Sequence, residues 1–62
     1  MKLVEIATGK ELKPGDEVER GRETMRLSGL DPKARLIFLI DLEADKSPIA
    51  LPPSAIGAKF AA

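Results

Sequence analysis

Apolar and polar residues alternate in short runs along this chain, and no run sustains the 3.6-residue period of an amphipathic helix. The pattern predicts five to six short strands. Lys2 to Ile6 is rich in branched side chains and reads as the first strand. Thr8-Gly9-Lys10 is a turn, and Leu12 anchors the loop beyond it. Lys13-Pro14-Gly15-Asp16 has proline second and glycine third, the signature of a type II turn.

The central segment supplies a register. Gly21-Arg22 can close a two-residue hairpin with glycine first, which sets Arg20 opposite Glu23 and Val18 opposite Met25. The next connection, Gly29 to Ala34, contains glycine, aspartate and proline. If it closes with Ser28 opposite Arg35, Leu27 meets Leu36 and Met25 meets Phe38. One face then carries Val18, Met25, Leu27, Leu36, Phe38 and Ile40, and Val4, Ile6 and Phe60 complete the expected core. The other face carries Thr24, Arg26, Ile37 and Leu39. Two readings of that face stand. A strongly bent strand can serve two sheets of one barrel and bury Ile37 and Leu39. Alternatively, Thr24, Arg26, Ile37 and Leu39 form an exposed strip that a partner protein or a second copy covers.

Asp41 to Ser47 reads as a polar loop. Ile49 to Leu51 is a short strand, placed at a sheet edge by Pro48 and Pro52, which cannot donate to a ladder. The run from Leu51 to Phe60 closes the chain. Its prolines stop the strand, Ser54 can bond a nearby N–H and hold a single 3-10 turn through Ile56, Gly57 permits a reversal, and Ala58 to Phe60 returns to the sheet. Residues 1–62 make one all-β domain.

Composition narrows the chemistry. A chain of 62 residues buries only about 60% of its unfolded surface. It has no cysteine and no histidine, so disulfides and thiolate or imidazole metal sites are excluded. Phe38 and Phe60 are the only aromatics, which leaves stability to aliphatic packing or to a partner chain. No apolar run approaches the roughly 20 residues that cross a bilayer, and Glu5 interrupts any signal-peptide core. A cytoplasmic location without membrane contact is the expectation.

Lys+Arg and Asp+Glu both number 10, a net charge of zero. The charges are unevenly spread. Arg20, Arg22, Arg26, Lys33 and Arg35 outnumber Glu23 and Asp31 in the middle of the chain. These five cations are the candidate nucleic-acid contacts. Interleaved glutamates and the lack of stacking aromatics favour a salt-bridged, solvated hairpin instead.

Asp41, Glu43 and Asp45 alternate as in a calcium loop, but the required glycine is missing and the twelfth position is Pro52. Ser28, Ser47 and Ser54 have no histidine to activate them. The glycines are scattered turn residues rather than a phosphate cradle. No catalytic residue, cofactor or metal ligand is expected.

The segment Leu12-Lys13-Pro14-Gly15-Asp16-Glu17-Val18 resembles the opening of Src-homology-3-like and KOW-type small barrels. Leu51-Pro52-Pro53-Ser54-Ala55-Ile56 resembles the strand, proline and turn before the last strand of a Src-homology-3-like barrel. Taken together, KLVEIATGKEL, GDEV and PPSAIGAKF are similar to short bacteriophage and prophage proteins. The resemblance implies a small, strongly bent antiparallel barrel and a phage setting. It implies no proline-rich ligand, because the tyrosines and tryptophan that clasp such peptides are missing. The expected function is a non-enzymatic protein-interaction or structural module, with nucleic-acid binding as the alternative.

Overall fold

The computed structural model describes residues 1–42 and 47–61. Seven strands follow one another: β1 (Lys2–Glu5), β2 (Glu11–Leu12), β3 (Glu17–Arg20), β4 (Glu23–Asp31), β5 (Leu36–Asp41), β6 (Ile49–Leu51) and β7 (Ala58–Ala61). A 3-10 turn, Pro53–Ile56, joins the last two. The strands form two antiparallel sheets, β2-β1-β7 and β3-β4-β5-β6, and the ladders do not close into a continuous barrel among the described residues.

Turn chemistry sets much of this arrangement. At the type II turn, the Asp16 N–H donates to the Lys13 carbonyl at 3.0 Å and Gly15 sits at φ 100°. The Asp16 carboxylate also accepts from the Lys13 N–H at 2.9 Å. The β3–β4 hairpin pairs Arg20 with Glu23 and Val18 with Met25, as the Gly21-Arg22 turn predicts. β6 is an edge strand, as its flanking prolines require. The 3-10 turn ends at Gly57 in the left-handed region, φ 67°. Backbone bonds close it, from Ala55 N–H to Pro52 O (3.0 Å) and Gly57 N–H to Ser54 O (3.2 Å). Among the described residues no side-chain hydrogen bond caps the turn, and the expected one from Ser54 is not seen.

The β4–β5 register differs from the expected one. Asp31 pairs with Leu36, Leu30 with Ile37, Gly29 with Phe38, and Leu27 with Leu39. Glycine at 29 is therefore a strand residue, and the turn runs from Pro32 to Arg35. Leu27 meets Leu39 rather than Leu36, an offset of three residues. An odd offset exchanges the two faces of a strand. A bulge at Ser28 puts two steps of β4 against one of β5, so that Leu27 and Leu30 both face the core despite their spacing of three.

The core lies between the two sheets. It consists of Leu3, Leu12, Val18, Met25, Leu27, Ile37, Leu39 and Ala58, with Leu30, Leu51, Ile56 and Phe60 packed against it. Val18, Met25 and Leu27 are as expected. Leu36, Phe38 and Ile40 are half-buried on the outer face of the second sheet, and Ile37 and Leu39 take their inner positions. In β1 the inward residue is Leu3, held between Leu12 and Phe60. Val4 faces outward, half-buried, and Ile6 lies beyond the strand with 61% of its surface exposed. Among the described residues no helix is long and apolar enough to cross a membrane.

Candidate interaction surface

The strip Thr24, Arg26, Ile37 and Leu39 is not a surface. Thr24 and Arg26 are exposed on the outer face of β4, whereas Ile37 and Leu39 have no exposed area at all. The β4–β5 offset turns both apolar residues inward, so the two pairs lie on opposite faces. Ile37 and Leu39 are buried, as the first of the two sequence readings expects. The shifted register buries them rather than a bent strand shared by two sheets, since among the described residues no strand belongs to both.

The five central cations are all exposed but do not converge. Arg20 and Arg22 belong to the β3–β4 hairpin, and Lys33 and Arg35 to the turn at the far end of β4. Nine strand residues separate the two groups, roughly 30 Å of backbone. The longest dimension of the molecule is 33 Å. Arg26 lies between them, directly opposite Glu17, while Arg20 lies opposite Glu23. The cations therefore form two separate ends joined by a mixed-charge face. Of the acidic trio, Glu43 and Asp45 lie outside the described residues; among those described, no group of three carboxylates is placed to hold a metal ion.

One concavity carries no signal in the sequence. A cleft of about 400 Å³ lies at a seam lined by residues of the β4–β5 turn, the 3-10 turn and β7. Pro52, Pro53, Ala58 and Phe60 give it an apolar floor, and Met1, Ser54, Arg35 and Lys59 complete the lining. Both cations are exposed, and among the described residues no carboxylate side chain lines the cleft. Arg35 is brought here by its own backbone, which turns at φ 56°, the one non-glycine residue at positive φ among those described. The proline-rich sequence predicts the turn. It does not predict that the strand after the turn leaves its outer edge unpaired.

That edge can be read from the hydrogen bonds. The Ile6 N–H donates to the Gly57 carbonyl at 2.9 Å, in the same register as the β1–β7 ladder. Bonded pairs alternate along an antiparallel ladder, so Val4 bonds Lys59 and Lys2 bonds Ala61. On β1 the intervening Glu5 turns its groups toward β2, donating to Lys10 O at 2.8 Å. On β7 the intervening residues are Ala58 and Phe60. Their N–H and C=O groups point away from β1, and among the described residues no other strand pairs with them.

A second cleft, of about 330 Å³, is lined by Glu5, Glu17, Glu19, Lys10, Leu12 and Ile56. It is predominantly acidic, opposite in character to the seam. No protein-family model matches the chain, and comparison with curated proteins and with solved structures likewise finds no match.

Proposed function

We propose that this protein is a non-enzymatic interaction module, built as a small Src-homology-3-like barrel and acting in a bacteriophage or prophage setting in the cytoplasm. The order of elements supports the barrel reading. A strand excursion through Pro14-Gly15 leads into a β4-β5-β6 meander, and the chain then returns through a prolyl 3-10 turn to pair with its own beginning. The observation that carries the functional reading is the seam cleft. It combines an apolar floor, two cations without carboxylate partners in the cleft, and an adjacent unpaired strand edge. Those are the ingredients of a protein-recognition groove.

Affinity capture from a host lysate tests this reading. The parent is expected to retain a specific protein that the exposed-site double substitution Arg35→Glu with Lys59→Glu releases. Equal capture by both would remove the seam as the functional surface.

The nucleic-acid alternative keeps one support, the exposure of all five central cations. An electrophoretic shift assay at low and moderate salt separates it from the first reading. Salt-sensitive retardation of generic DNA or RNA, lost in Arg22→Ala with Arg26→Ala, would favour it.

A further inference from the structure

We infer that the outer edge of β7 is a docking site for one extended, acidic peptide strand of a partner protein. This rests on the interaction-module reading and names the ligand of the same seam.

Among the described residues the outermost strands of the two sheets are β2, β7, β3 and β6. Three are poor templates. β2 has two residues. β6 has three, bracketed by Pro48 and Pro52. β3 carries Glu17, Glu19 and Arg20 in four positions, the charged composition by which proteins discourage edge pairing. β7 has four residues, Ala-Lys-Phe-Ala, with a single charge. Its half-buried Phe60 offers an N–H and a C=O that no described strand pairs, the two groups through which an incoming antiparallel strand bonds one residue of an edge.

The surroundings decide what kind of strand fits. Only extended backbone can pair with such an edge. Its alternate side chains would meet the apolar floor formed by Pro53 and Phe60. The others would meet Arg35 and Lys59, neither of which makes an ion pair with a described residue. Two uncompensated cations favour carboxylates, and a lysine-bearing strand would be repelled. The ligand is therefore a strand alternating apolar and acidic residues.

The test uses the full chain and three capped, fluorescently labelled hexapeptides: alternating glutamate and valine, alternating lysine and valine, and the glutamate peptide N-methylated at alternate residues. Anisotropy at low salt is expected to show binding of the first, at least roughly tenfold tighter than the second. N-methylation should abolish it, because it removes the pairing N–H groups. Arg35→Asn with Lys59→Gln should weaken it roughly tenfold while the thermal unfolding curve stays that of a folded protein. Equal binding of the glutamate and lysine peptides would overturn the inference. So would unchanged binding after N-methylation, or no binding at millimolar peptide. Capture of a partner from lysate together with no peptide binding would leave the module reading standing and remove the strand-docking one. A mass doubling of the protein alone, lost in the same double variant, would assign the edge to a second copy and overturn the peptide. Displacement of the bound peptide by duplex DNA would likewise transfer the cations to the nucleic-acid reading.

Discussion

Gly29 lies directly opposite Phe38 in the β4–β5 ladder, and a Cβ built on Gly29 would stand 3.5 Å from Phe38 Cδ2. On its other side Phe38 pairs with Ala50. The largest side chain of the outer face is thus set between two of the smallest residues in the sheet. That arrangement half-buries a ring which points away from the core.

Phe38 and its neighbour Leu39 should consequently respond very differently to truncation. Leu39→Ala removes a completely buried side chain and is expected to cost about 2–5 kcal/mol. Phe38→Ala should cost about 2 kcal/mol or less, since part of the ring is already in water. Leu39→Lys should unfold the protein, because it puts an ammonium at a position with no exposed area. Urea melts of the three variants check the ordering. A Phe38 variant more damaged than the Leu39 one would reverse the assigned faces.

Two glycines make opposite predictions. At Gly29 the added methyl meets Phe38 at ordinary contact distance and φ is not positive, so Gly29→Ala should stabilise by about 0.4–1 kcal/mol through the unfolded chain. Gly57 sits at φ 67° with its N–H bonded to the Pro53 and Ser54 carbonyls. Gly57→Ala should therefore destabilise by roughly 1 kcal/mol. Thermal melts measured side by side resolve the two signs.

Arg35 occupies the left-handed region that glycine and asparagine tolerate best. Arg35→Gly should raise stability by about 1 kcal/mol while weakening partner capture. A stability gain coupled to a binding loss would mark strain retained for a functional cation. A loss of stability would show that the arginine side chain contributes packing that outweighs its backbone.

The contrast between what could and could not be read from the chain follows from where the information resides. The Pro14-Gly15 turn, the Gly21-Arg22 hairpin, the edge position of β6 and the closing 3-10 turn each depend on a residue whose backbone preference is strong and local. All four are recognisable in the sequence. The β4–β5 register depends instead on an arginine at positive φ and on a bulge at Ser28, and neither residue advertises its conformation. Gly29 reads as part of a turn, yet it is a strand residue paired with Phe38. That one displacement exchanged Ile37 and Leu39 with Leu36, Phe38 and Ile40, and it turned an expected surface into core. The seam was illegible for a different reason. Arg35 and Lys59 are 24 positions apart, and only the tertiary fold brings them to one cleft.

Amide hydrogen exchange, resolved by residue, tests the open β7 edge most directly. In the free protein the Val4 and Lys59 amides should exchange slowly, since they bond each other across the β1–β7 ladder, whereas the half-buried Phe60 amide should exchange quickly. Adding the captured partner, or the glutamate–valine peptide, should slow Phe60 selectively. A Phe60 amide that is already protected in the free protein, or partner-induced protection confined to other strands, would contradict an open, strand-accepting edge.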